Sequence, residues 1–210
     1  MTIAVPPEWF YERNFAPGIT WFSGFELPDL SNAHPEQRFW LKNFLLNQLT
    51  HPVPSGKREL VFAQLRRAHA SFDAYEVLRT SLRDYGTNPR SVSTYMALLD
   101  KTEIWLVFTA QAFELADSLY TLTGSERVYA HAAQPDLKRL HSFYIASKHV
   151  PGMVAGAQFK YPDPVSFWLT AKGLQSRRRG LLAASMFSHF MLQLAQESES
   201  FASYLGATAE

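Results

Sequence analysis

One short segment carries most of the side chains that could do chemistry. Between residues 137 and 152 the chain places two histidines and three cations ahead of a Pro-Gly pair that ends helices. An imidazole that titrates near neutrality can deprotonate a ribose hydroxyl, and neighbouring cations can stabilise charge that develops on a phosphate. The segment is therefore a candidate site for metal-free RNA cleavage, with His149, Lys148, Arg139 and His141 as the candidate catalytic residues.

The same residues also have a structural interpretation. On a helix, His141 and His149 are separated by about 80° around the axis and about 12 Å along it, so they line one groove without touching. Lys148 and His149 fall in the last turn, where positive charge interacts favourably with the helix dipole. The sequence supports both interpretations.

A second group of cations, Arg177-Arg178-Arg179, stands where the sequence predicts the start of the last helix. Positive charge at a helix N-terminus opposes the dipole and costs stability, which favours a use in binding phosphate. Phe167 and Trp168 add aromatic surface nearby. The three arginines are candidate nucleic-acid-binding residues, and the alternative is a loop of solubilising charge.

Carboxylates recur along the two longest predicted helices. A di-metal site in a bundle needs Glu-x-x-His pairs, and this chain contains none. The sequence therefore predicts no metal and no cofactor, and it predicts solvated helix faces with ion pairs between successive turns. The residues concerned are His69, Asp73, Glu76, Glu103 and Asp117, with Arg79 and Lys101 as their cationic partners.

Composition restricts the class of protein. Hydrophobic residues make up 47 % of the 210 residues and charged residues 19 %, which is typical of a globular chain. A net charge of +1 gives no overall field for nucleic acid or membrane, and the lack of cysteine excludes disulfides and thiolate chemistry. With no secretion signal and no apolar run of about 20 residues, we expect a cytoplasmic protein outside the membrane.

The elements that position these residues are predicted to be mainly helical. Apolar residues recur at three- and four-residue steps over 57–85 and 89–121, which predicts two long antiparallel helices joined by a short turn. A shorter helix is expected over 35–50, and another starts at Pro135. Residues 157–170 predict a small β-hairpin, followed by a last helix over about 176–205.

The predicted fold is thus a mainly α bundle of about five helices, with the hairpin before the C-terminal helix. Residues 34–210 form the bundle domain. Residues 1–33 alternate aromatic side chains with Pro and Gly, which predicts an ordered arm over the bundle or over a partner subunit. The aromatic surplus suits a self-association surface, or an apolar pocket between the long helices lined by Trp105, Phe72, Phe113 and Tyr75.

The segment Tyr144-Ile145-Ala146-Ser147-Lys148-His149-Val150 resembles a helix of bacterial proteins related to the HEPN superfamily. The resemblance implies a helical bundle, usually dimeric, in which an arginine and a histidine four to six residues later meet at the dimer cleft and cut RNA. Arg139 lies two residues before His141 and ten before His149, so His149 alone is carried over as the motif histidine.

Two classes of function follow. The first is an HEPN-like homodimeric module that binds or cleaves RNA in a prokaryotic defence or toxin–antitoxin setting, as a metal-independent ribonuclease if it is an enzyme. The second is a non-enzymatic helical bundle that docks a protein partner. The apolar pocket gives a third hypothesis, a bundle that binds a small molecule.

Overall fold

A computed structural model describes residues 22–35, 40–50, 55–87, 91–123, 134–148, 167–176 and 179–203. Within these ranges the chain forms five α-helices and one small sheet, which confirms the mainly α prediction. The helices are α1 (Trp40–Thr50), α2 (Ser55–Thr87), α3 (Val92–Thr123), α4 (Pro135–Lys148) and α5 (Ala184–Ala202). The strands are β1 (Trp168–Thr170), β2 (Gly173–Ser176) and β3 (Gly180–Ala183).

The two long helices, α2 and α3, pack against each other as the sequence predicts. Lys101 Nζ donates to Ser81 Oγ at 2.8 Å near one end, while Ser71 meets Thr109 further along, which is the order of an antiparallel pair. The start of α3 is capped by Ser91, whose Oγ accepts a hydrogen bond from the Thr94 N–H at 3.2 Å. The sequence offers Ser91 or Asn88 as this cap, and the hydrogen bond from Thr94 confirms Ser91.

Helix α5 packs on both long helices and closes the core. The sulfur of Met191 accepts hydrogen bonds from Ser71 Oγ at 3.4 Å and from Trp105 Nε1 at 3.3 Å, and the Trp105 ring stacks on Phe187 at 4.1 Å. The rings that the sequence placed around an apolar pocket are at most 1 % exposed and fill this core. They are Trp105, Phe72, Phe113 and Tyr75.

The sheet lies before α5, but its strands differ from the prediction. Of the predicted hairpin at 157–170, residues 157–166 lie outside the described ranges, and its end coincides with β1. Residues 173–176 and 180–183 form two further antiparallel strands, so α5 begins at Ala184 rather than near 176. By periodicity alone, the short apolar run of β3 is compatible with either a buried strand or a helix. It forms a strand because Leu182 pairs with buried Leu174 on β2.

The described part of the arm, residues 22–33, lies along α2. Phe22 is buried against the rings of Tyr85 and Tyr95, and the Tyr75 hydroxyl donates to the Pro28 carbonyl at 3.0 Å. A single 3₁₀ turn, Ser31–Ala33, follows. Residues 1–21 lie outside the described part of the chain.

Among the described elements, helix α1 contacts α2 and α5. Trp40 and Phe44 are buried, and Trp40 Nε1 donates to Glu199 Oε2 at 3.1 Å. Leu45 follows the same helical spacing of apolar residues as Trp40 and Phe44, yet it is 53 % exposed because, within the described ranges, it faces away from α2 and α5. The Pro-containing stretch 51–56 predicts a linker, and its residues 51–54 lie outside the described ranges.

Candidate nucleic-acid interface

Helix α4, which carries the segment with most of the polar candidates, packs on α3 and is linked to β3. It begins at Pro135, as predicted, because proline suits the first helical position, and Asp136 follows in the first turn. Five of its apolar side chains are buried, while Lys138 and Arg139 are exposed. The buried residues are Leu137, Leu140, Phe143, Tyr144 and Ala146.

Two arginines cross-link α4 to the edge of β3. Arg139 Nη1 donates to the Leu181 carbonyl at 3.1 Å. From the residue before β3, Arg179 Nε donates to the Ser142 carbonyl on α4 at 2.7 Å. Candidate cations from two distant parts of the sequence therefore meet at one place, and we name Lys138, Arg139 and Arg179 the basic seam.

The sequence predicts that the arginine group Arg177-Arg178-Arg179 starts the last helix, and the structure corrects this. Arg179 lies in the turn between β2 and β3, five residues before α5 begins, so the last helix does not start at the arginines. Arg179 therefore does not lie at a helix N-terminus, and the unfavourable interaction with a helix dipole that the sequence predicts does not arise there. Arg177 and Arg178 lie outside the described residues.

His141 faces a different side of α4 from the basic seam. Its Nε2 lies 3.2 Å from Glu114 Oε1 on α3, and its ring lies 5.9 Å from the ring of Tyr144. The contact is an ion pair when the imidazole is protonated and a hydrogen bond when Nε2–H is the neutral tautomer. His141 thus joins α4 to α3, apart from the two arginines that join α4 to β3.

The C-terminal end of α4 holds the remaining candidates. Lys148 is its last residue, its side chain falls outside the description, and His149 lies beyond the described range. One turn of α3 beside this end carries Glu103. Burial, with the negative charge of Asp100, raises the pKa of Glu103, and a hydrogen bond with Ser147 opposes the rise. The sequence did not connect Glu103 with α4, because residues so far apart give no periodic signal.

The acidic residues of α2 form surface pairs, as predicted. Arg79 Nη2 lies 2.8 Å from Glu76 Oε2, and His69 Nε2 lies 3.6 Å from Asp73 Oδ2, one turn away. His34, which the sequence predicts to lie in a loop, has its Nε2 3.2 Å from the other Asp73 oxygen. Within the described ranges, no three His, Asp or Glu side chains are arranged to hold a metal ion.

Comparison of the chain with protein-family models, curated proteins and solved structures finds no match. Of the helices that the structure describes, none combines the length and apolarity needed to cross a membrane. The fold and the basic seam define a mainly α bundle with a local cationic surface, and the assignment of its function rests on these residues.

Proposed function

We propose that this protein is an HEPN-like helical module that binds RNA through the basic seam, in a prokaryotic defence or toxin–antitoxin setting. The observation that supports it is the pair of crossed hydrogen bonds, Arg139 to Leu181 and Arg179 to Ser142. Each guanidinium is held by a main-chain carbonyl, so binding a phosphate costs less side-chain entropy than it would for a mobile arginine.

The geometry of arginine suits this use. A guanidinium has five N–H donors in a planar fork, and the bond from Arg139 to Leu181 occupies one of them while the side chain stays exposed. Exposed Arg139 and its exposed neighbour Lys138 on α4 offer the charge and the planar donors that recognise phosphate oxygens. Such contacts position an RNA backbone without reading its sequence.

Binding is tested by the anisotropy of a fluorescein-labelled single-stranded RNA, titrated between about 50 and 200 mM KCl. Arg139→Gln is expected to weaken binding and to lower the slope of log K against log[salt] by about 0.7, the value for one lost phosphate contact. Arg58→Gln is the matched control, because Arg58 is exposed near the start of α2 and pairs only with neighbouring Glu59 within the described residues. Equal affinity and slope for the two variants would contradict the proposal.

A second arm separates cleavage from binding. Total RNA is incubated in EDTA with the wild type and with His149→Ala, since metal-independent cleavage persists in the chelator. Loss of cleavage in the variant supports His149 as the catalytic base, with Lys148 beside it. RNA that stays intact in both lanes while anisotropy detects binding contradicts the ribonuclease and leaves an RNA-binding module.

A protein-interaction module is the second candidate, and exposed apolar side chains favour it. Leu45 and Leu46 are adjacent on α1 and are 53 % and 51 % exposed. Large apolar side chains clustered on a surface mark contact sites for other proteins. Size exclusion with light scattering tests whether this surface joins two copies of the chain. A dimer that Leu45→Lys dissociates supports a homodimer, whereas a monomeric wild type excludes the homodimer and leaves a different protein as the partner.

A further inference from the structure

A cleft lies where the arm crosses the last turns of α2. Its volume is about 450 Å³, within the range of small-molecule sites, and residues 23–27 form one wall while α2 forms the other. The arm approaches α2 closely at Gly24, where a Cβ would lie 3.4 Å from the Leu82 carbonyl oxygen, an ordinary contact distance. Gly24 has φ +89°, a left-handed conformation that favours glycine at this point of the cleft wall.

The arm that forms this wall is firmly attached on both sides of the cleft. Before it, Phe22 is buried, and within it the ring of Phe25 lies 5.7 Å from that of Phe187 on α5. After it, Asp29 Oδ2 lies 3.5 Å from Arg79 Nη2. The cleft is therefore a preformed feature of the fold, and the partly exposed ring of Phe25 contributes apolar surface to it.

Two residues of opposite charge that line the cleft have no partner in the described part of the chain. Arg79 is neutralised by Glu76 and Asp29. Arg83, one turn further along α2, and Glu26 on the arm are both exposed, and within the described residues neither has an ion pair or a hydrogen bond. The main-chain groups of residues 23–27 likewise make no hydrogen bonds within the described part of the chain.

We propose that this cleft binds a zwitterionic α-amino acid with an apolar side chain. The planar guanidinium of Arg83 matches a carboxylate, and Glu26 matches an ammonium group. Phe25 provides surface for an apolar side chain, and the main-chain groups of residues 23–27, unpaired within the described part of the chain, provide further donors and acceptors. A simple anion would use only Arg83, and Glu26 would repel a polyanion such as RNA.

The test uses L-leucine as the probe and two-dimensional amide NMR of the full chain. Leucine is expected to shift the amide signals of residues 23–27 and Gly86. N-acetyl-L-leucine lacks the ammonium group and L-leucinamide lacks the carboxylate, so both are expected to bind about tenfold or more weakly. Arg83→Gln and Glu26→Gln are expected to weaken leucine binding similarly, while Arg58→Gln, an exposed arginine at the other end of α2, leaves it unchanged.

Three results would overturn the proposal. The first is the lack of any shift at these amides with leucine up to about 20 mM, a concentration that reveals a millimolar Kd. The second is an equal affinity for acetate, which would identify a plain anion site. The third is equal binding of leucine by the wild type and by both cleft variants. Because none of these readouts involves the basic seam, they are independent of the RNA-binding proposal.

Discussion

Glu197 lies on α5, and the packing of this helix buries its carboxyl group. It is 9 % exposed, and the Tyr120 hydroxyl on α3 donates a hydrogen bond to its Oε2. Burial raises the pKa of Glu197 from 4.5 to about 7, because the ionised form loses its hydration. The protein consequently carries a group whose protonation is coupled to folding near neutral pH.

The direction of the coupling follows from the two states of the chain. The unfolded chain releases this proton near pH 4.5, whereas the folded chain holds it until about pH 7. The folded state therefore binds the proton more tightly, so the free energy of unfolding rises as the pH falls from above 7 towards 4.5. The difference between the two pKa values corresponds to about 3 kcal/mol in the free energy of unfolding, and this stabilisation is lost above pH 7.

Glu197→Gln measures this cost directly, because glutamine has the same shape, stays neutral and still accepts the Tyr120 hydrogen bond. At pH 8 the variant is expected to unfold with a free energy up to about 3 kcal/mol higher than the wild type, and near pH 4.5 the difference shrinks towards zero. Urea unfolding followed by circular dichroism at several pH values between these limits gives the two curves. Glu59→Gln, at an exposed glutamate of α2, is the matched control.

The difference between variant and wild type is the decisive quantity, since other titrating groups affect both proteins alike. A Glu197→Gln variant that is no more stable than the wild type at pH 8, with the same pH dependence, would refute the reasoning. A variant less stable than the wild type at pH 8 would show that the ionised carboxylate stabilises the core.

Two further predictions concern the sheet. Gly173→Ala is expected to lower the unfolding free energy by about 3 kcal/mol or more in urea titrations, because φ is +131° and a Cβ would lie 2.6 Å from Ala184 N. Gly180→Ala, with φ +75° and open space around it, should cost only about 1 to 2 kcal/mol, and equal costs would contradict the steric argument. Tyr95→Phe is expected to cost about 1 to 3 kcal/mol in thermal unfolding, because the Leu169 N–H loses its 2.8 Å hydrogen bond to the hydroxyl. An unchanged melting temperature would show that the Leu169 N–H finds another acceptor.

The helices could be predicted because their signals are local. Apolar spacing gave α2 and α3 to within about three residues at each end, Ser91 identified the cap of α3, and Pro135 identified the start of α4. Each signal needs only neighbours within about one turn, and a single sequence contains them. The same locality explains the error over β2 and β3, since a four-residue apolar run carries too little periodicity to separate strand from helix.

The sequence by itself determined the residue types of the candidate site, the helical class of the fold and the lack of any thiol chemistry. Only the tertiary structure decided which candidates meet: Arg139 with β3, Arg179 with α4, and His141 with Glu114. It also decided that Glu197 titrates near neutrality, because desolvation depends on what packs over a side chain. These properties arise from contacts between residues tens of positions apart, and no local pattern in the chain encodes their distance or burial.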